Sequence, residues 1–244
     1  MGSMPDHHAF VRGMLDPAAY PHPVGEIRLV ETHISWVFLT GPFVYKVKKP
    51  CVLGFLDFST LERRRHFCHE EMRVSGRFAP NLYLGVVPIT GCPDRPRVAG
   101  TGAACEWAVK LAQFDERHRL DALFARGRLD AADCERLGAD IAGVQATLPA
   151  AAPDAAWGTV DSMCQAARLN IGQIRALRPD MAGRAEAAGG WLERRLEALR
   201  PLIESRKTTG RVRECHGDLH LANIVLHDGR MTPFDAIEFS EPLR

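Results

Sequence analysis

A dense group of metal-binding and proton-transferring side chains lies in residues 214–239, ECHGDLHLANIVLHDGRMTPFDAIEF. It offers a carboxylate at Asp218, a carbonyl oxygen five residues later at Asn223, and a second carboxylate at Asp235. Mg²⁺ prefers oxygen ligands, usually one or two carboxylates together with phosphate oxygens and water. The remaining aspartate can then take the proton from an attacking hydroxyl. This spacing therefore favours phosphoryl transfer with Mg²⁺.

A hairpin must position these groups. Two short apolar runs, NIVL (223–226) and MTPFDAI (231–237), read as strands, and His227-Asp228-Gly229 reads as the turn between them. The pattern places Asp218, Asn223 and Asp235 on or beside the base of one hairpin.

Other interpretations of the same residues stay open. The spacing His216-x-Asp218-x-His220 could hold a metal through imidazole nitrogens, as in a metal-dependent hydrolase. His216 could instead be a buried residue that supports the loop by hydrogen bonds. The simplest alternative is a polar hairpin, because Asp and Asn are common turn residues.

The segment before residue 115 predicts a small sheet with one helix. Ser59 is the predicted N-cap of that helix, with Glu62 as its capping-box partner, and Pro80 marks its end. The runs Lys46–Lys49 and Glu62–His66 could simply be solvated charged faces of a strand and of this helix. The predicted strands are 26–32, 35–41, 43–49, 82–89 and 106–114.

The following segment predicts helices with apolar stripes. They cover 134–148, 161–178 with an N-cap at Asp161, and 191–204. The order is therefore three strands, a helix, two strands, several helices and the hairpin.

Bulk composition is typical of a soluble globular protein, with 46% apolar and 25% charged residues. A formal net charge of +1 does not favour nucleic acid as the main partner. The seven cysteines are scattered without a C-x-x-C pair, which indicates reduced thiols in a cytoplasmic protein. No apolar stretch is long enough to predict a membrane span.

Two motifs carry a resemblance to a known family. HGDLHLAN resembles the catalytic loop of the aminoglycoside phosphotransferases and their relatives in the protein-kinase-like fold, and FDAIEF resembles their metal-binding motif. Upstream segments, including ETHISWVFLTGPFVYKVKKP, resemble a bacterial subgroup usually fused to a C-terminal P-loop ATPase domain. This chain has no G-x-x-x-x-G-K-[ST] motif, so we expect the ATPase part to be absent from it. The resemblance implies a P-loop ATPase domain as a fused or separate partner.

The resemblance implies an α+β, protein-kinase-like fold with two lobes. The small antiparallel-sheet lobe would comprise residues 20–112, and a helical lobe with the catalytic hairpin would comprise 113–244. We expect this helical lobe to be incomplete, because the family usually has further helices after the second motif. An exposed apolar face would then favour self-association.

The resemblance also implies roles for individual residues. Asp218 would be the catalytic base, and Asn223 and Asp235 would hold Mg²⁺. Lys46 would contact the α- and β-phosphates of ATP, and Lys48 is the alternative on the same strand face.

Further roles concern the remaining nucleotide contacts. Glu71 would pair with that lysine, with Glu70 as its rival, and the backbone of residues 110–114 would meet adenine. The loop ETHIS has no glycine, so phosphate contacts there would depend on Thr32, Ser35 and their amides.

The implied activity is ATP-dependent transfer of the γ-phosphoryl group to a hydroxyl of a small-molecule acceptor. The alternative is a nucleotide-binding or regulatory module without turnover, which the glycine-free loop and the missing helices favour.

Overall fold

The computed structural model describes residues 7–243 and contains a six-stranded antiparallel sheet, two short hairpins and seven helices within that range. The strands are β1 (Arg28–Glu31), β2 (Ser35–Leu39), β3 (Phe43–Lys48), β4 (Val52–Leu53), β5 (Leu56–Asp57), β6 (Tyr83–Cys92), β7 (Arg95–Val98), β8 (Ala104–Ala112), β9 (Ile224–His227) and β10 (Arg230–Pro233). The helices are α1 (His7–Met14), α2 (Leu61–Ser75), α3 (Leu120–Ala125), α4 (Ala131–Thr147), α5 (Val160–Leu177), α6 (Ala182–Ala198) and α7 (Arg200–Thr208). The predicted α+β class is confirmed.

The large sheet has the strand order β1-β2-β3-β8-β6-β7, and β4-β5 and β9-β10 form separate antiparallel pairs. Successive side chains on a strand point to opposite faces. On β3, Tyr45 and Val47 therefore enter the core beside α1, whereas Lys46 and Lys48 point to the face that carries α2. The same alternation on β8 sends Ala108 to the first core cluster and Val109 to the second.

The chain divides into two compact units. One runs up to Val144 and resumes at His216, and the other is Gln145–Cys215. The lobe boundary predicted near residue 113 is a different division and stays a prediction. Among residues 7–243, no helix combines the length and apolarity needed to cross a membrane.

Inside the second unit, α5 and α6 approach closely. A Cβ atom on Gly189 would lie 3.2 Å from Cγ1 of Ile171, so the absence of a side chain permits this spacing. The ends of the unit also meet, because Ala150 pairs with Arg213 and the amide of Ala151 donates to the Val212 carbonyl at 2.8 Å.

The predicted start of α2 is wrong by one residue. The Ser59 hydroxyl donates to Asp57 at 2.6 Å, so Thr60 becomes the N-cap and accepts from the Arg63 amide at 3.2 Å. The Asp57 carboxylate thus accepts from the Ser59 hydroxyl, which the sequence pattern predicted to cap the helix.

The predicted ends of two other helices also need correction. Thr159, not Asp161, caps α5 and forms a capping box with Ser162. The single helix predicted over 191–204 is two helices, because Pro201 has no amide hydrogen to continue the first one.

The predicted strand over residues 231–237 ends early, at Pro233. Asp235 has a left-handed φ of 62°, which no extended strand contains. The strand therefore ends two residues before Asp235, the second carboxylate that the sequence pattern singled out.

Candidate functional site

One cleft of about 920 Å³ collects the residues that the sequence pattern singled out. All of its lining residues belong to the first compact unit. It is lined by Thr32, Ser35, Lys46, Glu71, Asp218, Asn223 and Asp235, together with apolar side chains.

The lysine at the centre of this cleft has two carboxylate partners. Lys46 Nζ lies 2.9 Å from Oε1 of Glu71 on α2 and also contacts Oδ1 of Asp235. Burial alone would lower the pKa of Lys46, but these two carboxylates outweigh it and raise the pKa well above its ordinary value. Lys46 therefore carries a full positive charge inside the cleft.

A second lysine shares the same glutamate. Lys48 is fully buried, lies 2.8 Å from Oε2 of Glu71 and also contacts Glu238. Burial opposes the charged form of Glu71, yet the two lysines lower its pKa to about 2. The ion pairs thus form a chain in which carboxylates and ammonium groups alternate, in the order Asp235, Lys46, Glu71, Lys48 and Glu238.

The alternative residues considered for the glutamate and for the lysine occupy different positions in the structure. Glu71 points into the cleft, whereas Glu70 pairs with Arg73 on the helix surface at 2.7 Å. Lys46 contacts Asp235, whereas Lys48 lies behind it with Glu238. Neither lysine belongs to a solvated strand face.

The predicted solvated face of α2 is also partly wrong. Arg64 is buried, and its Nε donates to both carboxylate oxygens of Glu106 at 2.8 and 2.9 Å. Its Nη1 donates to the Phe58 carbonyl at 2.9 Å. This ion pair fastens the first turn of α2 to β8.

The predicted catalytic loop lies at the base of the β9-β10 hairpin. The Asn223 side-chain amide donates to the backbone carbonyl of Asp218 at 3.0 Å and to its carboxylate at 3.1 Å. The backbone of Asn223 is held in place because its backbone carbonyl accepts from the Phe234 amide at 2.9 Å. The Asp218 side chain is 55% exposed, so it is open to an incoming hydroxyl.

The backbone around Asp235 depends on groups outside the hairpin. The Asp235 amide donates to the hydroxyl of Tyr83 at 3.0 Å, and the Ala236 amide donates to the hydroxyl of Ser75 at 3.1 Å. Neither partner was singled out from the sequence, because a side chain that accepts from a distant amide leaves no periodic pattern.

His216 supports the loop from beneath. It is buried, its Nε2 lies 3.0 Å from the Phe234 carbonyl, and its own carbonyl accepts from the Ile237 amide at 2.9 Å. Burial lowers its pKa, which favours the neutral imidazole. The buttressing role considered from the sequence has a direct structural basis in these contacts.

The hydrolase interpretation gains no support from this geometry. His220 Nε2 lies 3.5 Å from the Asp218 carboxylate, but Nε2 of His216 faces a carbonyl oxygen instead. Within residues 7–243, no group of three or more His, Cys, Asp and Glu side chains is arranged to hold a metal ion.

The backbone amides of the turn between β1 and β2 form hydrogen bonds within the turn itself. The hydroxyl of Thr32 accepts from the Ser35 amide at 3.0 Å, and the Thr32 amide donates to the Ser35 carbonyl at 3.0 Å. The Ser35 hydroxyl is buried and has no hydrogen-bond partner among the described residues. A phosphate contact by Thr32 or Ser35 stays a prediction.

The end of β8 supplies an apolar wall. Leu111, Ala112 and Phe114 line the cleft with Val37 and Val44 from the neighbouring strands. These residues include part of the segment predicted to meet adenine, and the wall suits the flat face of an aromatic base.

The donor set fits a divalent cation such as Mg²⁺. Asp235, Asn223 and Asp218 offer carboxylate and amide oxygens to the same cleft, and Mg²⁺ prefers such oxygens. Lys46 beside them can neutralise phosphate oxygens that complete the shell.

Lys48 and Glu238 extend the set that the sequence indicated. Lys48 was an alternative to Lys46, but both lysines share Glu71. Their spacing of two on a strand is the signal, because residues i and i+2 lie on one face.

Comparison with known proteins gives one family. The profile described as the phosphotransferase enzyme family matches residues 51–234. Uncharacterized proteins of Mycobacterium bovis and of two Mycobacterium tuberculosis strains are each 25% identical over 231 residues, covering 91% of this chain and 44% of the relative. The chain thus spans less than half the length of these curated relatives. No solved structure matches the chain significantly.

The family match covers most of the chain and includes Glu71, Asp218 and Asn223. It agrees with the antiparallel sheet, the packing of α2 on one face of that sheet and the catalytic-loop motif at the base of the hairpin. The chain belongs to the phosphotransferase enzyme family, the kinase-like group that its two motifs resemble.

Proposed function

We propose that this chain transfers the γ-phosphoryl group of ATP, with Mg²⁺, to a hydroxyl of a small-molecule acceptor. One observation carries the proposal: a charged Lys46 contacts both Glu71 and Asp235 in the cleft that also contains Asp218 and Asn223. Phosphoryl transfer needs this combination of positioning and charge neutralisation more than it needs covalent chemistry.

Each residue has a role in this proposal. Lys46 binds phosphate oxygens, and Glu71 holds its ammonium group in the cleft. Asp235 and Asn223 hold the cation, which neutralises the charge on the phosphates when it is bound. Asp218 accepts the proton of the acceptor hydroxyl, since its carboxylate is exposed and oriented by Asn223.

A nucleotide-binding module without turnover is the second candidate. The turn at Thr32–Ser35 favours it, because the amides of Ile34 and Ser35 already donate to Thr32. Such a turn offers fewer free donors to phosphates than a glycine-rich loop does.

The setting of this activity is also part of the proposal. We expect a cytoplasmic protein that works with a P-loop ATPase domain, fused or separate. The curated relatives support the second point only by length, because more than half of each lies outside the match.

The Asp218→Ala variant tests the proposed reaction. We expect ATP affinity to stay within a few-fold of wild type, while phosphoryl transfer falls by roughly 10²–10⁴-fold, the usual contribution of a general base. Calorimetry with ATP and Mg²⁺ measures binding, and a radiolabelled-phosphate assay over a library of hydroxyl compounds measures turnover.

The exposed Asp154 provides the matched control, since Asp154→Ala removes a carboxylate outside the cleft. Binding without any turnover in wild type would favour the module. Undiminished turnover in Asp218→Ala would refute the assigned base.

A further inference from the structure

The backbone at Asp235 adopts a conformation that its residue type disfavours. Its φ is 62°, in the left-handed region, where residues other than glycine are destabilised. Asp tolerates this region better than most residues, but it still needs surrounding contacts to stay there. The direction of the Asp235 carboxylate therefore depends on what holds the backbone.

Two hydroxyl groups from outside the hairpin hold it. Tyr83 accepts from the Asp235 amide at 3.0 Å, and Ser75 accepts from the next amide, of Ala236, at 3.1 Å. Both side chains are buried, so solvent cannot take over either contact.

One of these hydroxyls, that of Ser75, comes from the helix that also fixes Lys46. Ser75 is the last residue of α2, and Glu71 lies four residues before it on the same face. Tyr83 begins β6, a short connection beyond that helix. The end of α2 thus contacts both Lys46, through Glu71, and the backbone beside Asp235, through Ser75.

Tyr83 is suited to this role because it remains an uncharged hydroxyl. A neutral phenol can accept from the amide without adding a negative charge beside the carboxylates.

We propose that Tyr83 and Ser75 are positioning residues that aim the Asp235 carboxylate into the cleft by accepting from two successive amides. The inference rests on the proposed function, in which Asp235 holds the cation. Without either hydroxyl, one buried amide loses its partner and Asp235 can leave the left-handed region. The population of the binding-competent backbone, and with it cation-dependent nucleotide affinity, then falls.

Tyr83→Phe is the main test, and Tyr45→Phe is its matched control. Tyr45 is equally buried, but its hydroxyl lies 3.4 Å from His22 in the core cluster beside α1 and does not line the cleft. We expect Tyr83→Phe to raise the Kd for ATP with Mg²⁺ roughly tenfold, the effect of one lost buried hydrogen bond. ATP binding without Mg²⁺, and both affinities in Tyr45→Phe, should stay within about twofold of wild type.

Amide hydrogen exchange gives a readout that does not need nucleotide. In the free wild-type protein, we expect the amides of Asp235 and Ala236 to be protected. Tyr83→Phe should expose the first of them selectively, and Ser75→Ala the second. A different exposed amide in each variant would indicate a positioning role. General destabilisation would instead accelerate exchange throughout the sheet.

The outcomes are distinguishable. If wild type binds Mg²⁺ and ATP together but Tyr83→Phe and Ser75→Ala behave like Tyr45→Phe, the positioning inference is wrong and the proposed function stands. If wild type shows no cation-dependent ATP binding, the proposed function fails and the inference fails with it. Should both variants unfold, unprotected Asp235 and Ala236 amides in folded wild type would still overturn the inference, and protected ones would support it.

Discussion

Lys46 contacts two carboxylates, and one of them is a predicted cation ligand. A cation at Asp235 and a phosphate at Lys46 would both compete with the contact between these two side chains. The loss of the contact between Lys46 and Asp235 would be offset, because Lys46 would bind a phosphate when Asp235 binds a cation. Lys46 keeps its second partner, Glu71, throughout.

The Asp235→Asn variant should separate these effects. We expect the Kd for ATP with Mg²⁺ to rise at least tenfold, because the cation loses a charged ligand. ATP binding without Mg²⁺ should be unchanged or tighter, because Lys46 is released and a negative charge is removed near the phosphates. Calorimetry with ATP in Mg²⁺ and in EDTA measures both; an equal loss in the two buffers would make Asp235 a structural residue.

Glu71 predicts a specific dependence of stability on pH. Its pKa is lowered from 4.5 to about 2 in the folded state, so its contribution is complete above the unfolded pKa. That contribution is lost as pH falls from about 4.5 through about 2 and amounts to about 3 kcal/mol of the free energy of unfolding. Urea unfolding of wild type and Glu71→Gln at several pH values measures it.

We expect the two stability curves to converge as the pH falls, because Gln has no charge to lose. Wild type should be the more stable protein at neutral pH, where Glu71 neutralises two buried lysines. Parallel curves over this range would contradict the assigned state of Glu71.

Among the elements, α2 connects the site to the sheet, since it carries Glu71 and Ser75 beside the cleft and Arg64 beside β8. Arg64 pairs with Glu106 on β8, and burial raises the pKa of that carboxyl despite the arginine. Removing one partner of a buried ion pair leaves an uncompensated charge, which costs more than the pair contributes.

Arg64→Met should therefore lower the free energy of unfolding by about 3–5 kcal/mol. The double variant Arg64→Met with Glu106→Leu should recover most of that loss, because no charge is left without a partner. Arg63→Met is the control, since its half-exposed pair with Asp57 is worth less than about 1 kcal/mol. Chemical denaturation measures all three, and a double variant no better than the single one would contradict the explanation.

The sequence was most informative where one element has one strong period. Strands β1, β2, β3 and β8 and helix α2 all lie within or close to the predicted ranges, because their residue periods are clear there. Helix α1 was not predicted, since its eight residues are too few for an apolar stripe to repeat along the sequence. The caps at Thr60 and Thr159 were missed because several adjacent residues could all serve.

For the site, the spacing of Asp218 and Asn223 along one loop was sufficient to single them out, whereas Lys46 was implied only by the family resemblance. The groups that hold Asp235 were not predictable, because Tyr83 and Ser75 act on backbone amides more than 150 residues away. Contacts of this kind follow from tertiary structure alone.

At the scale of the whole molecule, residues 145–215 form their own compact unit, and none of them lines the cleft. Its two ends meet where Ala151 pairs with Val212. A chain in which Asn-Gly replaces residues 152–211 would close this antiparallel pair with a two-residue turn.

We expect the shortened chain to bind ATP with Mg²⁺ within a few-fold of the full chain, because every cleft residue is retained. Calorimetry, with circular dichroism to verify folding, measures this. The same deletion combined with Asp235→Asn is the control, and it should lose the part of the ATP affinity that depends on Mg²⁺. A folded shortened chain without nucleotide binding would show that the second unit is required for the site.

The ion pairs between β3 and the segment after β10 have a consequence for synthesis on the ribosome. Lys46 and Asp235 are 189 positions apart, and Lys48 and Glu238 are 190 apart. At roughly 5–20 residues per second, about 10–40 seconds separate the two halves of each pair. For that time, Lys46 and Lys48 of the nascent sheet can be neutralised only by Glu71. The proposed cation site is therefore assembled late, long after the sheet beside it has emerged from the ribosome.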